Sequence, residues 1–301
     1  MELRQLEHFL AVAEEGSFGG AAAREFMRQS SLSASLLALE RGLGTNLFVR
    51  GRRGAELTDA GRAFLEPARA VLNEVHRARD AVAEVKGLLR GTVRIGAVFV
   101  PRSIDIIETI RRFGEEHPGV EVAIFPADPI KMMALVADGQ VDFAITPRVE
   151  QTNAQLHFEP LVSSPLVIAC PAGHRLSGAH EIEPHDLVDE SIIELPEGWR
   201  SRELLDEWCR AKDVHRQARV ELNDWVSVLH MVQRGVGLSY GPRECIDHDM
   251  FGDIGVATMA DAPIWELGIV RRDDVLRGAA GRAFLAAYRE DCAHAPSAWS
   301  W

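Results

Sequence analysis

Cysteine is scarce in this 301-residue chain, and the spacing of the few that occur argues against two kinds of structural site. No pair has the CxxC spacing of a zinc module, and the cysteines lie too far apart to suggest a disulfide framework. We therefore expect reduced thiols, and neither a metal nor a cofactor. The four residues are Cys170, Cys209, Cys245 and Cys292.

Long hydrophobic runs are absent as well. No stretch approaches the roughly 18 consecutive apolar residues of a membrane helix. The first residues, MELRQLEHFLAVAEEG, carry charges among the apolar positions, unlike the continuous apolar core of a signal peptide. These features predict a cytoplasmic protein that does not contact a membrane.

The chain also lacks the short motifs of common enzyme classes. It contains no HExxH, GxSxG or GxGxxG sequence and no phosphate-binding loop, and its eleven histidines are scattered. His180 and His185 flank a polar loop and are candidates for a metal site, although ordinary surface histidines fit the pattern better. We therefore expect no catalytic residues and no enzymatic activity.

Charge is present but unevenly distributed. The chain carries a net charge of −12, yet residues 1–90 hold 13 Arg and Lys against 12 Asp and Glu, which leaves 20 against 33 for residues 91–301. Six arginines lie from Arg24 to Arg53, with only Glu25 and Glu40 among them. A local basic patch of this kind is what phosphate binding requires, whatever the average charge of the chain.

Three short helices are predicted in the first 45 residues. The segment LRQLEHFLAVAEEG stops at Gly16, and Ser17 is a good N-cap for a second helix, FGGAAAREFM. In the first helix, one face is formed by Leu3, Leu6, Leu10 and Ala13, with Phe9 beside them.

The third helix, RQSSLSASLLALE, has one apolar side and one small, mostly uncharged side. Helical spacing predicts that the apolar side faces the core. It consists of Leu32, Leu36, Leu39 and Leu43, whereas the opposite side consists of Ser30, Ala34, Leu37 and Arg41.

The segment NLFVRGRRGAELT follows these helices and predicts a basic β-hairpin. Its arginines are Arg50, Arg52 and Arg53. Three helices followed by such a wing indicate a winged helix-turn-helix, in which the third helix enters the DNA major groove and the wing contacts the flanking backbone.

A heptad repeat begins after Thr58. Its apolar positions alternate in steps of four and three, which is typical of a narrow contact strip against a partner helix. The alternative is an ordinary helix packed on a globular core. The positions are Phe64, Ala68, Val71, Val75, Ala78, Val82, Val85 and Leu89.

Beyond GLLRG at residues 87–91, short apolar runs alternate with helical stretches. The runs include TVRIGAV, VEVAIF, VDFAIT and PLVIAC, and the helical stretches include IDIIETIRRFGEE, MMALVAD and RELLDEWCRA. This alternation over about 200 residues predicts an α/β domain with a largely parallel sheet.

Taken in order, these segments resemble the LysR-type transcriptional regulators. The resemblance rests on MELRQLEHFLAVAEEGSF, LALERGLGTNLFVR, LTDAG, HPGVEV, DGQVDFAI, EPLVSSPLVIACPAGHRL and GVGLSYGP. It implies an α+β multidomain architecture. The resemblance implies a winged helix-turn-helix DNA-binding domain at residues 1–58 and a long coiled-coil linker helix that dimerises at 59–89. It also implies a two-lobed α/β effector-binding domain like the periplasmic binding proteins at 90–301.

The resemblance also identifies candidate DNA contacts. The third helix of the family usually begins Ser-Gln-Pro-Ala-Leu-Ser, and here only Gln29, Leu32 and Ser33 match. We expect Gln29 and Ser33 to contact base edges, although Ser33 has the alternative of packing against the preceding helix. The full set of candidates is Ser17, Arg28, Gln29, Ser30, Ser31, Ser33, Arg50, Arg52 and Arg53.

Two departures from the family concern this third helix. Arg28 replaces the usual capping Ser, so either Ser30 caps a later start or the helix has no side-chain cap and Arg28 is free to reach a phosphate. Family members also commonly carry basic or amide residues where this chain has Ala34, Ser35, Leu37 and Ala38.

The effector site is expected where strands end in the C-terminal domain. Carboxylate-binding members often place Ser or Thr where this chain has Phe99, Val100 and Pro101, or Asp128, which favours an apolar or aromatic effector with a cationic or hydroxyl group. For the two tryptophans core packing is the alternative, and Asn223 or Asp224 has the alternative of capping a helix. The candidates are Phe99, Val100, Arg102, Asp128, Thr146, Pro147, Trp199, Arg202, Asn223 and Trp225.

Together the residues predict a sequence-specific DNA-binding regulator whose DNA binding is modulated by a small-molecule effector. The expected partners are double-stranded DNA with an interrupted palindrome, the effector, and further copies of the chain, as a dimer through the linker helix and a tetramer. The alternative is a solute-binding-like module or a scaffold without regulated DNA binding, which leaves Gln29 and the basic wing unexplained.

Overall fold

The computed structural model describes residues 1–51, 54–85, 89–98, 104, 106–149, 155–246, 251–272 and 278–294. The chain divides into two compact units. One consists of residues 1–88 and 138–140, and the other of residues 89–137 and 141–301. In the described part of the chain, no helix is long and apolar enough to cross a membrane.

The first unit is a winged helix-turn-helix. Its helices are α1 (Leu3–Glu15), α2 (Phe18–Arg24), α3 (Gln29–Leu43) and α4 (Asp59–Val85), and its strands are β1 (Phe48–Gly51) and β2 (Gly54–Leu57). The strands pair antiparallel as the wing. The helix α2 ends three residues earlier than the predicted segment, at Arg24.

The core of this unit is formed by the apolar faces of α1 and α3, joined by an aromatic cluster. The ring of Phe9 lies 5.3 Å from that of Phe48 and 5.2 Å from that of Phe64. Two leucines predicted on the core faces, Leu3 and Leu43, are instead 38% exposed. Leu3 is the first residue of α1 and Leu43 is the last residue of α3, so both lie beyond the middle turns that pack on the core.

The heptad positions of α4 do not form one continuous contact strip. Ala68 is buried in the core of the first unit, and Phe64 packs against the same core. Leu89 lies beyond the end of α4 and packs against the core of the second unit. The predicted heptad repeat therefore includes residues at both ends that pack on a core. Residues that face a core recur at the same spacing as residues that face a partner helix.

The second unit contains five described helices and nine described strands. The helices are α5 (Ile106–Glu116), α6 (Pro129–Ala137), α7 (Arg200–Arg210), α8 (Trp225–Gln233) and α9 (Ala279–His294). The strands are β3 (Gly91–Ala97), β4 (Val120–Phe125), β5 (Phe143–Pro147), β6 (Leu156–Pro171), β7 (Ser191–Glu194), β8 (Gln217–Glu221), β9 (Ser239–Pro242), β10 (Ile254–Thr258) and β11 (Ile264–Arg272).

The sheet of this unit is mixed, so the expectation of a largely parallel sheet is wrong. Strand β3 is parallel to β4 and β5, and β7 and β8 form a separate parallel pair. In contrast, β11 runs antiparallel to β5 and β6, and β6 runs antiparallel to β9 and β10. The cause is that β6 and β11 are return strands, which an apolar run in the sequence does not distinguish from parallel ones.

Strand β6 divides the second unit into two lobes. Its first half, from Leu156, pairs with β11, and its second half, up to Pro171, pairs with β9 and β10. In the first lobe, the rings of Phe113 and Phe284 pack edge to face, with 5.0 Å between their centroids, and so link α9 to α5. Strand β6 is therefore shared by the two lobes of the second unit.

Candidate nucleic-acid interface and effector site

The recognition helix α3 begins at Gln29 without a side-chain cap. Arg28 holds the N-cap position with an extended backbone (φ −76°, ψ 138°), and within this described turn its side chain makes no capping hydrogen bond. Of the two predicted alternatives, the uncapped start is confirmed and the Ser30 cap is wrong. Arginine carries only donors, so it cannot accept the N–H groups of the first turn.

The side of α3 opposite the core is open to solvent, and Gln29 and Ser33 lie on its flank. Leu32, Leu36 and Leu39 are buried, whereas Gln29 is exposed and Ser33 is half-buried. Gln29 and Ser33 are four residues apart and therefore share one stripe of the helix. Also exposed at the start of the helix are Arg28, Ser30 and Ser31.

Two other serines have structural partners in this unit. The Ser17 hydroxyl accepts a hydrogen bond from the Gly20 N–H at 3.0 Å and so caps α2, as predicted. The Ser35 hydroxyl lies 2.8 Å from Nδ1 of the buried His8 and links α3 to α1. A capping serine keeps its own O–H free to donate, so Ser17 can still contact a phosphate.

The wing is held to the rest of the unit by hydrogen bonds that sequence reasoning did not find. One carboxylate oxygen of Glu40 accepts from the Leu47 N–H at 2.7 Å and the Phe48 N–H at 3.2 Å. The Ala55 N–H donates to the Gly16 carbonyl at 2.7 Å. These bonds fix the wing against α3 and the end of α1.

The wing arginines are only partly within the described residues. The backbone of Arg50 lies in β1, opposite Ala55 of β2. Arg52 and Arg53 lie outside the described residues, so their predicted phosphate contacts stay predictions.

A groove of about 460 Å³ opens between α3 and β1. Two of its residues are apolar and markedly exposed, Leu37 at 42% and Val49 at 55%. The lining consists of Phe18, Ser33, Leu36, Leu37, Glu40, Asn46, Phe48, Val49 and Thr58. Because the lining comes from several separate segments, the sequence alone did not reveal it.

In the first lobe of the second unit, Thr146 lies near the carboxyl end of β5 and is fully buried. Its hydroxyl has no hydrogen-bond partner among the residues that the structure describes. Pro147 ends the strand. Asp128 is exposed, and its carboxylate accepts from the Lys131 N–H at 2.8 Å at the start of α6. Thr146 is thus the candidate with unused hydrogen-bonding capacity, because buried hydroxyls normally find a partner.

In the second lobe, candidate residues gather at the carboxyl ends of β7 and β8. Trp199 precedes α7 and is half-buried. One turn on, the guanidinium of Arg202 donates to the Leu195 carbonyl and to Glu221, both at 2.8 Å. Asn223 is exposed just after β8. Arg202 therefore links the two strand ends.

The start of α8 resolves two alternatives left by the sequence. Asp224, rather than Asn223, caps the helix by accepting from the Ser227 N–H at 2.9 Å. The hydrogen bonds from Ser227 lower the pKa of Asp224. Trp225 is buried and donates its indole N–H to the Cys245 carbonyl at 3.0 Å, which favours core packing.

The two lobes approach each other beside these residues. A Cβ atom placed on Gly198 would lie 3.0 Å from the Cδ1 atom of Ile130, at the start of α6. Trp199 adjoins this contact from one lobe, and Asp128 adjoins it from the other. Phe99, Val100 and Arg102, predicted on the same strand ends, lie outside the described residues.

Sequence reasoning missed a buried ionic network at the end of β7. Glu194 is 2% exposed and accepts from Nε of Arg216 at 2.6 Å and from the Tyr240 hydroxyl at 2.5 Å. Arg216 also pairs with Asp206. Burial first, and then the charge of Glu194, raise the pKa of Tyr240. These residues are distant in the sequence, and the one local signal was a glutamate inside the apolar run SIIEL.

The four cysteine thiols of the second unit share one property, a pKa raised by burial. Burial raises the pKa of the Cys170 and Cys292 thiols to about 11. It also raises the pKa of the Cys209 and Cys245 thiols above the ordinary value of a cysteine. Within the described residues, no group of three or more His, Cys, Asp or Glu is placed to hold a metal.

Comparison with known proteins agrees with this architecture. The family described as "Bacterial regulatory helix-turn-helix protein, lysR family" matches residues 3–62. The family described as "LysR substrate binding domain" matches residues 86–293, which is more than half of the chain.

Individual relatives give the same assignment. The chain is 31% identical to the HTH-type transcriptional regulator XapR of Escherichia coli, over 79% of this chain and 81% of that protein. It is 30% identical to the HTH-type transcriptional regulator AlsR of Bacillus subtilis, over 80% of each. The fold is similar to that of a full-length OxyR variant from Pseudomonas aeruginosa, with a TM-score of 0.72 and 24% identity over 98% of this chain and 96% of that one. The chain therefore belongs to the LysR family of transcriptional regulators, with a helix-turn-helix DNA-binding domain followed by an effector-binding domain.

Proposed function

We propose that this regulator reads its operator through Gln29 and Ser33. The observation that carries the proposal is that they share one stripe of α3 beside the buried leucines, where Gln29 is exposed and Ser33 is half-buried. A glutamine amide pairs bidentately with adenine in the major groove, and a serine hydroxyl donates to or accepts from several bases. The remaining contacts hold phosphates and carry no sequence information. They are Ser17, Arg28, Ser30, Ser31, Arg50, Arg52 and Arg53.

Two substitutions separate base reading from phosphate binding. Gln29→Ala should lower the discrimination between operator and random DNA by about 1–3 kcal/mol, whereas Arg53→Ala should weaken binding to both duplexes together. Equilibrium binding of the full-length variants to the two duplexes measures both effects. Unchanged operator binding by Gln29→Ala would show that another residue reads the bases.

We also propose that two chains pair through the exposed part of α4. The observation in support is that Val71 and Val82 are exposed apolar residues on the predicted contact strip. Two recognition helices then face two half-sites, so the operator is an interrupted palindrome. A tetramer would place a second pair of recognition helices on the DNA.

For the effector, we propose a site between the lobes of the second unit, bounded by Thr146 and Trp199. Thr146 supplies a buried hydroxyl without a partner among the described residues, and Trp199 supplies a half-buried ring. An apolar or aromatic ligand with one hydroxyl or cationic group suits this pair. Binding changes the angle between the lobes, and the linker helices transmit the change to the spacing of the DNA-binding domains.

A thermal-shift screen of metabolites on the full-length chain tests this site. A ligand at 100 times its dissociation constant should add about 2.7 kcal/mol of stability. Thr146→Val, which removes the hydroxyl and keeps the shape, should abolish much of that gain. A hit that stabilises Thr146→Val as strongly as the parent would place the ligand elsewhere.

We further propose that the chain acts in the cytoplasm and carries no enzymatic activity of its own. The support is that its relatives are named as transcriptional regulators. A solute-binding module or a scaffold is not favoured, because the helix-turn-helix match covers the N-terminal domain. Cell fractionation with an antibody to the chain tests the location.

A further inference from the structure

The groove between α3 and β1 lies directly beside the stripe proposed to read bases. Leu37 follows Ser33 by four residues, as Ser33 follows Gln29, so the three residues follow one face of α3. Ser33 and Leu37 both line the groove, and Val49 faces them from the wing strand. The DNA-reading face therefore continues into an apolar recess.

The charge of the groove argues against a phosphate as its occupant. Glu40 contributes a carboxylate, and none of the described lining residues is cationic. That carboxylate also accepts hydrogen bonds from the backbone N–H groups of Leu47 and Phe48, which hold it at the groove. An anion would be repelled, whereas an uncharged group would not.

Only one apolar group projects from the base edges of the major groove, and it is the 5-methyl group of thymine. A methyl group gains free energy when it leaves water against exposed side chains such as Leu37 and Val49. A base that presents a donor or acceptor there loses its hydration without gaining a hydrogen bond. The recess thus favours thymine over the other bases.

We propose that this groove takes the 5-methyl group of a thymine and that Leu37 specifies one T·A pair in each half-site. The inference rests on the proposed DNA-reading role of α3 and adds the identity of one base. Leu37 acts here as a specificity-determining residue, through contact with an apolar group and without a hydrogen bond.

The test begins with an operator selected from random duplexes by the full-length chain. Each thymine is then replaced by deoxyuridine, which removes the methyl group and leaves the hydrogen-bonding edge unchanged. We expect one thymine in each half-site to respond with about fourfold weaker binding, the effect of losing one buried methylene-sized group.

Two variants assign that effect to the groove. In Leu37→Ala the response to deoxyuridine should vanish, because no leucine remains to cover the methyl group. Leu43→Ala is the matched control, since Leu43 is a similarly exposed leucine of the same helix outside the groove lining, and it should keep the full response. Equal melting temperatures of both variants and the parent show that each is folded.

The outcomes separate the two proposals. An operator in which no thymine responds, or whose response persists in Leu37→Ala, overturns the methyl readout and leaves the proposed function intact. A chain that selects no sequence at all overturns the proposed base reading, and the methyl readout with it.

Discussion

At the N-cap position of α3, this chain combines the backbone of a capped helix with a side chain that cannot cap. Arg28 has the extended conformation that a capping serine adopts, and the first turn lacks a side-chain acceptor. Arg28→Ser should therefore stabilise α3 by about 1 kcal/mol and slow the hydrogen exchange of its amides about fivefold in the full-length chain.

Arg28→Ala is the control for this prediction. It removes the same cation without supplying an acceptor, so exchange should stay at the parent rate or increase. If serine and alanine gave equal exchange rates, the missing cap would not be what limits the start of α3.

The turn between α2 and α3 contains a residue in an unfavourable conformation. Phe26 has φ +53° and is 99% exposed, so its side chain offers no packing to offset the strain of the left-handed region. Phe26→Asn should raise the free energy of unfolding of the first unit by about 1 kcal/mol, because asparagine tolerates this region.

Urea unfolding of the full-length chain, followed in the first unit by hydrogen exchange, measures the effect. Phe26→Ala serves as the comparison, since alanine keeps a Cβ atom in the same conformation and should give no gain. A loss of stability in Phe26→Asn would mean that the aromatic ring supports the fold.

Among the elements, α4 has two parts with different neighbours. Its first turns pack on the first unit through Phe64 and Ala68, whereas Val82 is 60% exposed. Val82→Asp should abolish dimer formation, because it places a charge in the middle of an apolar contact strip. Ala70→Asp, at an exposed position away from that strip, should leave the dimer intact.

Sedimentation of both variants over a range of concentrations distinguishes these expectations. If the dimer forms through α4, only the Val82→Asp variant should dissociate into monomers. A dimer that survives Val82→Asp would place the principal interface outside α4.

Helices and strands could be predicted from the sequence where a local signal, such as the spacing of apolar residues or a turn residue, determined them. Periodic leucines and the glycine after α1 predicted the first three helices, and the basic turn predicted the wing. Phe64 and Ala68 were misassigned to the dimer contact because burial in a core and burial against a partner demand the same spacing. The antiparallel course of β11 is set by pairing between distant residues, which leaves no local trace.

The same reasoning applies to the candidate sites. The outer face of α3 was predictable, because helical spacing fixes which residues oppose the buried leucines. The network of Glu194, Arg216 and Tyr240 and the groove beside Leu37 were not predictable, because each joins segments that only the tertiary fold brings together.

For the whole molecule, we expect that mild oxidants leave the cysteine thiols unchanged. Thiolates attack the oxygen of hydrogen peroxide, and thiols whose pKa is near 11 stay protonated at neutral pH. Dilute hydrogen peroxide at pH 7 should leave the thiols and the DNA affinity unchanged, and thiol oxidation should increase only as the pH rises toward 11. Peptide mass spectrometry of the four cysteines and DNA binding before and after treatment measure this, and rapid thiol oxidation at pH 7 would contradict it.

The central claim is that the whole molecule is a DNA-binding regulator with a defined operator. The most direct measurement is equilibrium binding of the full-length chain at low salt to the DNA upstream of its own gene and to a shuffled duplex of equal length. We expect at least about a thousandfold preference for the upstream DNA, with a footprint of two symmetric half-sites. Equal affinity for both duplexes would contradict the account.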